Sequence, residues 1–241
     1  SNDFHWQLGL KNRLILFSLV LSQFFLVDLL LKTSYIKNER IRYKLSLDAL
    51  ISRPKEIKER VMSDPLNLKK HIREVKDFPI EGINFRDITS LIENPEAFQT
   101  TCKELIEVSK NFNASVIASI ESRGFIFAGS ISFELGLPFV LARKPGKLPN
   151  ETFKKDFDLE YGSTSIEIQK NTTFKSSDRV VIVDDLVATG GTAIACPELL
   201  TENFNIKKSN ILILGVIDLP KLGGSDLIVK EGYNIQTLVS Y

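Results

Sequence analysis

Four short apolar runs constrain this chain more than any other feature: ASVIASI (114–120), PFVLA (138–142), RVVIV (179–183) and ILILGVI (211–217). Each is too short for a buried helix and is rich in residues that suit strands. Each stays apolar without alternating, so both faces of the sheet they form must be covered. Helical stretches lie between them: RGFIFAGSISFEL (123–135), ended by Gly136, and a segment that begins after Gly191. Buried strands alternating with helices predict an α/β fold, with a parallel sheet flanked by helices on both faces.

The flanking segments read less uniformly. LNLKKHIREVK (66–76) sets Leu68, Ile72 and Val75 at helical spacing. DFPIEGINFRDIT (77–89) is punctuated by Pro and Gly and predicts a loop. Pro95 suits the first turn of a helix over PEAFQTTCKELIEVSK. TSIEI (164–168) alternates as a strand. RKPGKLPNETFKKDFDLEYGS (143–163) is long, polar and charged, the pattern of an irregular loop that acts as a mobile lid.

The 241 residues, 43% hydrophobic and 25% charged, describe an ordinary globular protein. The net charge of +1 is unevenly spread. Residues 1–61 hold 11 Lys and Arg against 6 Asp and Glu, a balance of +5; the remaining 20 and 24 give −4. The acidic remainder argues against a nucleic-acid partner. Residues 14–31 (LILFSLVLSQFFLVDLLL) are about long enough to span a bilayer. Asp28 would be costly there, and cationic residues on both flanks set no orientation. Met62 is the single methionine and precedes the well-patterned part. The reading is therefore a domain over 62–241 that starts at Met62, with 1–61 as an upstream extension and a membrane anchor as its alternative. Cys102 and Cys196 lie far apart, with no metal-ligand spacing, and read as buried reduced thiols.

VVIVDDLVATGGTA (180–193) carries the chemistry. In parallel sheets ligands bind beyond the carboxyl ends of the strands, where the turn 185–192 falls. Gly190 and Gly191 allow successive backbone N–H groups to face one ligand. Thr189 and Thr192 add hydroxyl donors, and the helix that follows adds a partial positive charge. Together these make a monophosphate cradle, and without a Walker A pattern a triphosphate does not fit. Asp184 and Asp185 beside an anion site suit a ligand that also offers hydroxyl donors.

The acids joined to Ala188, Thr189, Gly190, Gly191 and Thr192 resemble the phosphoribosyl diphosphate signature of the type I phosphoribosyltransferases. ESRGF, RKPGKLP, LEYG and VDDLVATGGT in this order, with INFRDI, are similar to adenine phosphoribosyltransferase over residues 62–241. The resemblance implies a type I sheet with a small hood and a flexible catalytic loop, and a transferase that makes AMP and pyrophosphate from adenine and phosphoribosyl diphosphate. It implies that Asp184 and Asp185 hold the ribose hydroxyls while the turn takes the 5′-phosphate. Arg123, Arg143, Lys144 and Lys147 would meet pyrophosphate, Glu160 would serve as acid–base group, and Tyr161 would position the lid or the ligand. Phe85 would stack on adenine, the backbone of Asn84 and Arg86 would read its polar edge, and Leu219 would close its other face. Asn84, Ala128 and Val187 depart from residues common in the family. Mg²⁺ would be held mainly through ligand oxygens. A cytoplasmic homodimer follows, with Arg123 near its interface. The rivals are a 6-oxopurine transferase, for which no lysine motif is assignable, and a regulator that binds phosphoribosyl diphosphate and nucleic acid, against which the charge argues.

Overall fold

The computed structural model describes Asp64, residues 66–159 and residues 162–241. The readings of 1–61 and of Met62 lie outside the described residues. A five-stranded parallel sheet organises the rest. In spatial order its strands are β4 (Phe139–Ala142), β3 (Val116–Ile120), β7 (Val180–Val187), β8 (Ile211–Asp218) and β9 (Asn234–Ser240). Every residue of β3 and β8 is buried, as expected for interior strands. At one edge of the sheet, β4 buries only Val140 and Ala142, so PFVLA is half-covered rather than fully buried. β9 forms the other edge and alternates in exposure, a pattern the sequence reading passed over.

Helices cover both faces. On one lie α2 (Pro95–Asn111) and α3 (Gly124–Leu135), packed through Leu105, Phe127 and Ile131. On the other lie α4 (Gly191–Phe204) and α5 (Gly224–Lys230), packed through Leu199, Leu200 and Ile228. The ends of α2 and α3 follow local chemistry. Pro95 opens α2 and the Asn94 side chain accepts from the Ala97 N–H at 2.9 Å. Gly136, at φ 62°, ends α3 in the left-handed conformation.

The chain steps from β3 outward to β4, then returns to place β7 on the other side of β3. The connection changes direction there, so a crevice opens between the carboxyl ends of β3 and β7. That is where an open parallel sheet offers a binding site. Close packing sets its floor. A Cβ on Gly124 would sit 2.6 Å from Ser119 Oγ and 2.7 Å from the Val183 carbonyl oxygen, so only glycine lets α3 begin against β7.

Three expectations need correction. Residues 66–76 are not one helix: a 3₁₀ turn (Lys69–His71) leads into β1 (Arg73–Val75). Leu68 and Ile72 are buried as their spacing implied, but strand pairing overrides helix beyond them. The partner, β2 (Phe85–Asp87), lies in the segment read as loop. β1, β2 and the short α1 (Thr89–Ile92) make a small hood on the sheet. Residues 143–163 are only partly irregular. β5 (Thr152–Leu159) and β6 (Gly162–Gln169) pair as an antiparallel ribbon from Thr152↔Gln169 to Leu159↔Gly162. Phe153 packs on Phe204 of α4 with ring centroids 5.4 Å apart. Lys155 reaches Glu198 and Glu202 of α4 at 3.0 and 2.5 Å. The ribbon is thus anchored at its base, against the expectation of an unstructured lid.

Candidate active site

The strand at the centre of the crevice is longer than the sequence implied. β7 continues through Val187, with Asp184 opposite Gly215 and Leu186 opposite Ile217 of β8. Both aspartates therefore stand on the strand itself, and the turn proper is Ala188 to Gly190. Sheet pairing on the β8 side holds the acids more rigidly than a loop would.

Asp185 is buried and its Oδ2 pairs with Arg123 Nε at 2.5 Å, across the crevice. Arg123 leaves β3 just before α3, and its side chain is 44% exposed. Its guanidinium lies 5.7 Å from the centre of the Phe85 ring. Phe78 packs edge-on against Phe85 at 5.2 Å. The structure thus brings Phe85, Arg123 and Asp185 to one place, though they come from the hood, the β3 exit and β7.

Asp184 accepts from the Asp185 N–H at 2.8 Å. Burial, and then the neighbouring Asp185 charge, push its carboxyl well above the usual range. The Cys196 thiol is buried beneath and is pushed up by burial and by Asp184, so it stays protonated. Cys102 is buried as well, and burial raises its thiol.

The turn from Ala188 to Gly190 rests on a close glycine pair. Gly190 has φ 90°, a conformation that favours glycine, and precedes α4. Gly224 donates its N–H to the Ala188 carbonyl at 3.0 Å. A Cβ on Gly224 would fall 2.3 Å from that oxygen and 2.7 Å from the Gly190 nitrogen. The first N–H groups of α4, from Gly191 and Thr192, have no acceptor within the helix and suit an anion. Leu219 follows β8 and donates its N–H to the Val187 carbonyl at 3.0 Å, beside this turn.

Glu121, in ESRGF, ties the end of β3 to the RKPGK segment, a link that no local pattern in the sequence announces. Its Oε2 accepts from Arg143 Nε at 3.0 Å and from the Lys144 N–H at 3.1 Å. Burial works to raise this carboxyl, but the Lys144 N–H and the Arg143 guanidinium outweigh it and hold the group below the ordinary carboxylate range. Arg143 also donates to the Lys147 carbonyl at 3.1 Å and bridges Glu167 of β6. The RKPGK segment is therefore a tied loop at the crevice mouth, with Lys144 and Lys147 exposed. In the hood, Arg86 pairs with Glu74 at 2.7 Å and Asn84 is exposed. Glu160 and Tyr161 lie outside the described residues.

Among the described residues no three His, Cys, Asp or Glu side chains gather as a metal cluster. The donor set at the crevice still fits magnesium. Asp185 is engaged by Arg123 and the Asp184 carboxyl is raised, so the two leave room for an ion carried by its ligand rather than caging one. An ion there would draw its other oxygens from ligand and water.

The architecture and the crevice define a phosphoribosyl-transfer domain, and the phosphoribosyl transferase domain family model matches residues 89–214. Adenine phosphoribosyltransferase of Pelagibacter ubique is 47% identical over 176 residues, covering 73% of this chain and 98% of its own length. The Francisella philomiragia enzyme is 47% identical over 179 residues, covering 72% and 97%. Among solved structures, adenine phosphoribosyltransferase from Thermoanaerobacter pseudethanolicus superposes with a TM-score of 0.67 at 39% identity, over 73% of this chain and 99% of that one. The Giardia lamblia enzyme complexed with 9-deazaadenine gives 0.69 at 33% identity, over 75% and 98%. The chain belongs to the adenine phosphoribosyltransferase family, enzymes of purine salvage that transfer a phosphoribosyl group to adenine.

The raised Asp184 carboxyl makes a testable prediction about stability. The folded state keeps a proton that the unfolded state releases near the ordinary aspartate value. This contribution is present at low pH and is lost as pH rises from that value through the raised one. D184N removes the titration, so its stability relative to the parent should increase as pH goes from about 4 to 7. Thermal unfolding across that range checks this; a difference independent of pH would contradict the raised Asp184 carboxyl.

Proposed function

We propose that the crevice between β3 and β7 makes AMP with the following division of labour. Asp184 and Asp185 accept hydrogen bonds from the ribose 2′- and 3′-hydroxyls. The turn from Ala188 to Thr192 holds the 5′-phosphate through backbone N–H groups, the Thr189 and Thr192 hydroxyls and the start of α4. Arg123, Arg143, Lys144 and Lys147 stabilise the negative charge that grows on the departing pyrophosphate. Arg123 suits this task because Asp185 grips only its Nε and holds the guanidinium at the crevice. Glu121 orients Arg143 and the Lys144 backbone for the same end.

Adenine stacks on Phe85, with the backbone of Asn84 and Arg86 at its polar edge and Leu219 on its other face. The observation that supports the reading is the Phe85–Arg123–Asp185 series, an aromatic ring 5.7 Å from the guanidinium that Asp185 holds. Glu160 manages the proton on the purine as N9 attacks C1 of the ribose and the pyrophosphate oxygen leaves. Tyr161 positions the lid or hydrogen-bonds to the ligand. Magnesium, when bound, neutralises part of the pyrophosphate charge.

The domain spans 62–241 and acts in the cytoplasm. Among the described residues no helix is long and apolar enough to cross a membrane, while the alternative for 14–31 falls outside them. The test of the base assignment is product formation with phosphoribosyl diphosphate and Mg²⁺ from adenine, hypoxanthine and guanine. The reading expects AMP from adenine and little or no product from the 6-oxopurines. Comparable rates with hypoxanthine would overturn it.

We also place a homodimer interface on α3. Ile126 and Phe133 stand exposed, Phe133 at 89%, and flank Gly129 and Ser130 on a single stripe. An exposed stripe of that kind suits a partner surface. Sedimentation should return twice the chain mass, and F133K should return one chain mass. A monomeric parent protein would contradict the assignment.

A further inference from the structure

Tyr241 follows β9 and carries the hood from below. Its backbone N–H donates to the Asp218 carbonyl at 3.1 Å, which extends the β8–β9 ladder by one residue. Its ring lies under two cations, with Arg86 Cζ 4.0 Å and Lys69 Nζ 5.0 Å from the centroid. Arg86 belongs to β2, one residue beyond Phe85, and its side chain is mostly buried. Glu74 of β1 holds its other end at 2.7 Å. The guanidinium is therefore gripped between a carboxylate of the hood and a ring of the main sheet.

The hood needs such a hold. Its sheet is two strands of three residues each, a size with marginal stability of its own. Leu68, Ile72, Ile88 and Leu91 tie its base to the core, but none of them belongs to β2. The Arg86–Tyr241 stack, closer than the Arg123–Phe85 approach, ties β2 itself to the sheet. The same tyrosine bonds the backbone of Asp218, the residue before Leu219. One side chain and its own N–H thus reach toward both walls assigned to the base.

We propose that Tyr241 is a positioning residue for adenine binding, holding Arg86, and with it Phe85, at a fixed distance from Leu219. This rests on the base-site reading given above. The ring acts through its face, because the buried Tyr241 hydroxyl has no partner among the described residues. Phenylalanine should therefore replace it, and a flexible side chain of similar length should not.

The experiment compares Y241F, Y241M and F85A with the parent enzyme in steady-state kinetics for both substrates. Y241F should match the parent. Y241M should raise KM for adenine about fivefold, the scale of one lost cation–ring contact, while KM for phosphoribosyl diphosphate stays unchanged. Amide exchange in residues 85–87 should quicken in Y241M while β3 and β7 exchange as before, which separates a loosened hood from a damaged fold. Y241L replaces Y241M if the latter does not accumulate as folded protein. Equal KM for adenine in Y241M and the parent, with F85A impaired, would overturn the role of Tyr241 alone. An unimpaired F85A would overturn the base site on which it rests. Parallel rises in both KM values would show a general structural role and also overturn the proposal.

Discussion

Arg123 Nε and Asp185 Oδ2 meet across the mouth of the crevice, and the site is organised around that contact. The pair joins the exit of β3 to the end of β7, the two strands between which the sheet changes direction. It sets one acid against a guanidinium, beside a second acid that burial drives toward neutrality. The arrangement gives two neighbouring aspartates different tasks. One is an ion-pair partner that aims a guanidinium; the other, its carboxyl raised by burial and by its neighbour, accepts from the Asp185 N–H. Without the arginine, two like charges side by side at the edge of an apolar sheet would repel each other and lose their hydration together.

Glycine makes the contact possible. Arg123 stands where it does because Gly124 lets α3 begin in contact with β7, closer than any side chain allows. On the far side, Gly190 and Gly224 press the turn after β7 onto the start of α5 in the same manner. The crevice is therefore bounded by two close backbone approaches, each fixed by steric exclusion rather than attraction. The charged groups that line it need little reorganisation when a charged ligand arrives, and this favours stabilising charge that develops during reaction.

Much of this was legible in the residues. The apolar runs at 114–120, 179–183 and 211–217 left no choice but interior strands, and the Gly-Gly pair marked the turn between β7 and α4. The misreadings share a cause. Phe153 and Phe157 alternate with Lys154, Asp156 and Asp158, but charge density masks the period of two, and Lys155 faces inward only because α4 supplies Glu198 and Glu202. Asp184 and Asp185 looked like the end of a strand because acids are poor strand formers; pairing with β8 overrides that preference. β1 and β2 depend on each other across a gap of nine residues, 76–84, and neither has a local pattern that announces a strand. Glu121 and Tyr241 escaped assignment because their partners, Arg143 and Arg86, are distant in the chain.

The central claim is that the acids read the sugar while the turn reads the phosphate. Calorimetric titration of the parent enzyme and D185N with AMP and with 2′,3′-dideoxy-AMP separates the two. The account predicts that D185N weakens AMP binding by about tenfold or more, the scale of a charged hydrogen bond, and leaves the dideoxynucleotide unaffected. Equal weakening of both ligands, or AMP binding as tight as in the parent, would contradict it.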